Sequence, residues 1–144
     1  MGTPPSSLNC LVSVFFFARV GDSEDATVDP VKAAFGRIRP FLSNPEIKPL
    51  TKKTSSGAYP SGHTTRVNMV AIILTSMLPE KRAVIWERAE EYAQSRVIGG
   101  MHYPNDLEGG RRAGTAMAVL LFQDAAFRAD FDVAKAEIRH ALGL

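Results

Sequence analysis

The sequence predicts an all-α fold, a bundle of five or so helices, and three observations carry that reading. Apolar residues recur at helical spacing in segment after segment. Proline and glycine punctuate those segments where helices start and stop. The apolar alternation of a β-strand is nearly absent.

Taken in order, Leu11 to Ala18 is a short apolar stretch. It has the length of a signal-peptide core, but no Lys or Arg precedes it and no A-x-A-like site follows it, so a buried helix end is the better reading. Asp29-Pro30 predicts a helix start, with an N-cap followed by proline at the first helical position, and the helix should run to about Ile38 because Pro40 forces Arg39 out of the α region. Phe41 to Tyr59, rich in proline and polar residues, reads as a long loop. Pro60-Ser61-Gly62 opens a helix that is apolar on nearly all sides and ends at Pro79, which suits the centre of a bundle. Glu80 to Ile98 is the next helix, with Val84, Ile85, Ala89, Tyr92 and Ala93 as its apolar stripe and Gly99-Gly100 as its stop. Pro104 starts a helix reaching about Phe122. A last amphipathic helix begins near Asp130, with Phe131, Ala134, Ile138 and Leu142 on one face.

The 144 residues are read as one domain, 1–144, with residues 1–14 disordered or the remnant of a longer N-terminal region. The net charge of +2 comes from scattered Lys and Arg, which excludes a nucleic-acid stripe. Cys10 is the lone cysteine, and no paired C-x-x-C or H-E-x-x-H is present, so no metal site is expected. The apolar segments Val67 to Leu78 and Gly114 to Phe122 fall short of the ~20 residues of a membrane span.

Three clusters carry chemistry, each at a helix terminus. Lys32 and Arg39 are seven residues apart, about two turns, so both cations would share a helix face. Pro60-Ser61-Gly62-His63 opens an apolar helix, whose free N–H groups and dipole attract an anion. There the glycine admits a ligand to the backbone, the serine adds a donor, and His63 could pass a proton to a leaving group. Ser95-Arg96 closes a helix. His102 follows the Gly-Gly break, and Asp106, four residues on, could fix its tautomer. Each cluster alone could be ordinary: a solvated basic face, an N-cap serine, a carboxylate suited to a helix start. Together they supply a nucleophile (His102), a proton donor (His63), an orienting acid (Asp106) and three cations. That inventory serves phosphomonoester hydrolysis without a metal, since phosphoryl transfer is mostly positioning and charge stabilisation.

The same residues resemble the three-part signature of the type 2 phosphatidic acid phosphatase superfamily: K-x6-R-P (Lys32, Arg39-Pro40), P-S-G-H (Pro60 to His63) and S-R-x5-H-x3-D (Ser95-Arg96, His102, Asp106). All eleven residues stand in order and register. The flanks Gly57 to Thr64 and Gln94 to Ile98, and the tail from Phe127 to Ile138, are most similar to bacterial class A non-specific acid phosphatases. The likeness runs from about Phe15 to Ala141.

The resemblance implies the helical bundle of the acid phosphatase/vanadium haloperoxidase type, short at its N-terminus. It implies phosphate binding by Lys32, Arg39, Ser61, Gly62 and Arg96, a phosphohistidine on His102, His63 as general acid and Asp106 as orienting carboxylate. It also implies inhibition by vanadate and a periplasmic address. A shortened N-terminus would uncover apolar surface and favour a homodimer. Three rival expectations stand beside the phosphatase: a vanadate-dependent haloperoxidase, with vanadate as its cofactor; a lipid phosphate phosphatase, against which the lack of a membrane span argues; and a non-catalytic relative that only binds phosphate.

Overall fold

The computed structural model describes residues 11–144, which form helices and connecting loops without a strand among them. The helices are α1 (Leu11–Phe35), α2 (Pro40–Ser43), α3 (Gly62–Met77), α4 (Arg82–Ile98), α5 (Pro104–Gln123) and α6 (Ala125–Ala141), with a 3₁₀ turn at Pro79–Lys81. The helical bundle expected from the sequence is the fold observed. Of the residues read as disordered or remnant, 1–10 lie outside the described residues, and Leu11 to Val14 form the first turn of α1.

α3 is the axis, packed against α1, α4, α5 and α6. The core gathers Phe16 and Val20 of α1, Met69, Ile73 and Met77 of α3, Met117 and Ala118 of α5, and Phe131 and Ala134 of α6. An aromatic group of Phe16, Phe122, Phe127 and Phe131 joins α1, α5 and α6, with ring centroids 5.1–6.5 Å apart. The backbones of α3 and α5 approach closely because Gly110 and Gly114 carry no side chain. A Cβ on Gly110 would lie 2.7 Å from the Ser61 carbonyl oxygen, and one on Gly114 would lie 2.5 Å from that of Thr65.

The main departure from the sequence reading is α1. Pro30 sits inside this helix and does not start one. The reason is tertiary. Phe16, Val20, Glu24 and Val28, spaced by four, form one buried stripe that continues up to the proline. Burial of that stripe outweighs the roughly 3 kcal/mol that an interior proline costs. α1 then ends at Phe35, where Gly36 adopts φ +56° and donates its N–H to Lys32 O. Lys32 and Arg39 therefore share no helix face: Lys32 lies in the last turn of α1, and Arg39 caps α2 in an extended conformation. The exclusion of Arg39 from the α region by Pro40 holds.

Smaller differences have similar causes. α2 interrupts the expected loop with one turn. α6 begins at Ala125, five residues early, because Asp124 caps it by accepting from Phe127 N–H at 2.7 Å. On α4 only Ala89 and Ala93 are fully buried, while Val84 and Tyr92 face outward, and Leu142 is exposed beyond α6. Leu11, Val12, Val14 and Phe15 of α1 are exposed, and Ser13 and Phe16 are the buried residues of that stretch. No described helix is long and apolar enough to cross a membrane.

Candidate active site

Two junctions build the site, the entry to α3 and the entry to α5, and one backbone bond ties them together. Ser61 N–H donates to the Asp106 carbonyl at 3.0 Å, so the Pro-Ser-Gly-His turn and the His102–Asp106 segment move as one unit. Ser61 is fully buried and caps α3, its Oγ accepting from Thr64 N–H at 3.3 Å and from Thr64 Oγ1 at 3.0 Å. Both bonds use the lone pairs of Ser61, which leaves its own hydrogen to donate. The capping role and an anion-binding role are thus compatible.

His102 is buried in the connection after α4, 3% exposed, with its two ring nitrogens in different company. Nδ1 lies 3.4 Å from Asp106 Oδ2, a long contact, and has no hydrogen-bond partner among the described residues. Nε2 lies 3.2 Å from Arg39 Nη1. A guanidinium only donates, so Nε2 must accept, which places the ring proton on Nδ1, facing the carboxylate. Burial pushes the His102 pKa down, against the bond to Asp106, which raises it. A neutral imidazole that carries its lone pair on Nε2, here engaged by Arg39, is the tautomer a nucleophile needs.

Arg39, 4% exposed, is held by four oxygen acceptors besides His102: Ser56 O, Ser56 Oγ, Gly57 O and Met101 O, at 2.8–3.2 Å. Lys32 approaches from the other side of the α3 entry, where a Cβ on Gly62 would lie 3.1 Å from its Nζ. Arg96, in the last turn of α4, is half-buried and its Nε has no hydrogen-bond partner among the described residues. Its charge also acts on Arg39 and His63.

His63 sits at the rim of a cavity of about 500 Å³. Glu24, Lys32, Gly62, Arg66, Val67, Val70 and Tyr92 line the same space. Its ring is exposed and stacks on Tyr92, with centroids 6.1 Å apart and planes inclined by 27°. Partial desolvation first, and then the positive charges of Arg96, Lys32 and Arg66, with His102 acting in the same sense once protonated, hold its pKa down at about 4.

Three contributors escaped the sequence reading. Arg37 forms an ion pair with Asp106 Oδ1 at 3.1 Å, although its angle falls short of a hydrogen bond, and it lies 4.6 Å over the Tyr103 ring. With Tyr103 N–H donating to Oδ2 at 2.8 Å, it anchors the carboxylate that faces His102. The signal was available: Arg37 lies within the K-x6-R-P stretch, two residues before Arg39 in the connection between α1 and α2. Glu24 is buried against Gly62, and Arg66 holds it at 3.1 Å. Glu24 is eight residues before Lys32, on the same face of α1, a relation visible only once the helix runs through Pro30. Among the described residues, no group of three His, Cys, Asp or Glu side chains is placed to hold a metal ion.

An all-helical bundle that sets two histidines, a carboxylate and several cations around the start of its central helix brings together groups that can bind an anion and move a proton. Comparison with known proteins agrees. The PAP2 superfamily model matches residues 8–130, and the chain belongs to that superfamily. It is 34% identical over 116 residues to a protein of Zymomonas mobilis named acid phosphatase, covering 76% of this chain and 43% of that one. It is 31% identical over 122 residues to a non-specific acid phosphatase of Providencia stuartii, covering 82% and 49%. The chain thus spans about half the length of these relatives. Among solved structures, a transmembrane PAP2-type phosphatidylglycerolphosphate phosphatase from Bacillus subtilis shares the fold. The match has a TM-score of 0.54 and 22% identity, over 74% of this chain and 55% of that one.

Proposed function

We propose that this chain is the catalytic domain of a metal-independent acid phosphatase that hydrolyses small phosphomonoesters through a phosphohistidine on His102. The observation that carries the reading is the pair of contacts on that ring, with Asp106 at Nδ1 and Arg39 at Nε2. The names of the relatives support the reaction class.

In the first step Nε2 of His102 attacks phosphorus, a P–N bond forms, and the ester P–O bond breaks. Protonated His63 gives its proton to the departing alkoxide. Asp106 stabilises the positive charge that develops on the His102 ring. Arg39 transfers its Nη1 contact from the ring to the phosphoryl oxygens, joined by Lys32, Arg96, the Ser61 hydroxyl and the first N–H groups of α3. In the second step water attacks the phosphohistidine while neutral His63 takes its proton. The P–N bond breaks and phosphate leaves.

The pKa of His63 gives the acidic preference a cause. At about 4 in the phosphate-free protein, the ring is neutral near pH 7 and a poor proton donor. Every charge that depresses it is positive, so a bound phosphate dianion raises it toward the working range. Catalysis through this acid is therefore favoured on the acidic side of neutrality. A periplasmic place of work is part of the same proposal, supported by the class A likeness and checked by osmotic-shock fractionation of an expressing bacterium.

The test is hydrolysis of p-nitrophenyl phosphate with chelator present, for the wild type and for His102→Ala. Turnover should survive the chelator and vanish in the variant, and an alkaline quench should trap phosphohistidine in the wild type alone. Undiminished activity of His102→Ala, or rescue of a chelated enzyme by a divalent metal, would overturn the assignment. Vanadate should inhibit as an analogue of the five-coordinate transition state.

A further inference from the structure

Glu24 takes no part in the mechanism above, yet it occupies a place such chemistry should leave free of negative charge. It is 3% exposed, deep on α1, and its Oε1 would lie 2.7 Å from a Cβ on Gly62. Gly62 is the first residue of α3, whose N–H groups should receive the phosphoryl oxygens. The missing side chain at Gly62 is what makes room for the carboxylate, and Lys32 Nζ reaches the same point from 3.1 Å. A buried acid is therefore wedged between a phosphate-binding lysine and a phosphate-binding helix end.

The surrounding charges are mixed. From α1 come Asp25 and Lys32, the latter 3.5 Å from Asp29. From α3 come His63 and Arg66, whose guanidinium also reaches Asp25 at 2.9 Å and Gly21 O at 3.3 Å. From α4 come Arg88 and Tyr92 on the far wall of the cavity. Arg66 is thus shared among three acceptors on α1 and only partly compensates Glu24. Burial raises the Glu24 pKa, opposed by Arg66 and Lys32 and reinforced by Asp25.

We propose that Glu24 sets the pH dependence of phosphate binding at this site, admitting the anion when its carboxyl is neutral and repelling it when ionised. The proposal rests on the phosphate-site reading given above. A neutral carboxyl can stay beside Gly62 and donate its proton to a phosphoryl oxygen. An ionised one places a like charge within a few ångströms of the ligand, where solvent screens it weakly. Linkage makes the effect reciprocal: bound phosphate must raise the Glu24 pKa further, so binding takes up a proton.

The experiment is equilibrium binding of inorganic phosphate from pH 4.5 to 7, alongside hydrolysis of p-nitrophenyl phosphate, for the wild type and Glu24→Gln. The ionisations of phosphate itself and of His63 are common to both proteins, so the ratio of their dissociation constants isolates Glu24. That ratio should rise on the order of tenfold or more across the range as the wild type weakens. In hydrolysis the change should appear in KM and leave kcat nearly parallel. Parallel binding profiles would overturn the proposal and reduce Glu24 to an anchor for Arg66.

Should Glu24→Gln not fold, carboxyl-carbon NMR of the wild type decides the matter. A Glu24 midpoint that climbs when phosphate is added supports the linkage, and an unmoved one refutes it. Proton-linked phosphate binding without turnover would sink the catalytic reading alone. Normal turnover with parallel profiles would sink the role of Glu24 alone, and absence of phosphate binding at every pH would sink both.

Discussion

Arg37→Met, combined with Asp106→Asn in a double-mutant cycle, tests whether the orienting carboxylate has its own support. Asp106 is fully buried, and its Oδ1 faces Arg37 at 3.1 Å. At an effective dielectric of about 20, a pair at that distance is worth roughly 5 kcal/mol gross. The Arg37 side chain is 37% exposed, so solvent screens its half of the pair. Breaking a fully buried pair costs about 3–5 kcal/mol, and a half-exposed partner brings the expectation down to about 1–3 kcal/mol. The Tyr103 stacking lost with Arg37 adds roughly 0.5–1 kcal/mol, but it is lost in both backgrounds and cancels in the cycle.

Urea unfolding should therefore give a coupling of about 1–2 kcal/mol between the two substitutions. In steady-state hydrolysis, Arg37→Met should lower kcat on the order of tenfold with KM little changed, because His102 loses a firmly held partner and the phosphate contacts stay. In the Asp106→Asn background the same substitution should do almost nothing further to kcat. Additive free energies would refute the argument. So would a rise in KM at constant kcat, which would make Arg37 a direct phosphate ligand.

Two further predictions follow from the same geometry. With its folded pKa of about 4 below the unfolded value near 6.5, His63 takes up its proton later in the fold than in the unfolded chain. Its contribution to stability is present above pH 6.5 and is lost as pH falls toward 4, and the depressed pKa of His102 acts in the same sense. Thermal melts of the phosphate-free protein should show a shallower acid loss for His63→Asn than for the wild type, and saturating phosphate should flatten the wild-type curve. Identical pH slopes for the two proteins would contradict the depressed pKa. The raised pKa of Glu24 works oppositely, losing its contribution as pH rises, and cancels in that comparison. Gly110→Ala should cost about 2 kcal/mol or more in urea unfolding, because the new methyl meets the Ser61 carbonyl oxygen at 2.7 Å and Thr64 Cβ at 2.8 Å. A loss below about 0.5 kcal/mol would mean that α3 and α5 can slide apart freely.

The sequence was most legible where chemistry depends on spacing along one short segment. Ser61, Gly62 and His63 had to open a helix, and they do. His102 and Asp106 are four residues apart across a helix start, and the carboxylate at the third helical position turns back to cap Tyr103 while facing the ring. Such local geometry follows from helix rules with no knowledge of the fold. Legibility failed where a long-range contact overruled a local preference. The proline at position 30 marks a helix start by every local rule, and only the buried stripe from Phe16 to Val28 explains why the helix ignores it.

That one error hid more than a boundary. Ending a helix at Asp29 detached Glu24 from Lys32 and left a carboxylate on an apparently separate segment. With α1 continuous, the two side chains lie eight residues apart on one face and converge on Gly62. The motif residues name the groups that would hold a phosphate, but the burial of α1 decides which charge stands among them before it arrives. The proposed catalytic inventory is thus written in short motifs, whereas the acid dependence proposed for it rests on the packing of one helix against another. A change in the α1–α3 contact, such as loss of the Arg66 pairs to Glu24 and Asp25, should therefore shift the pH profile of the site without touching a single signature residue.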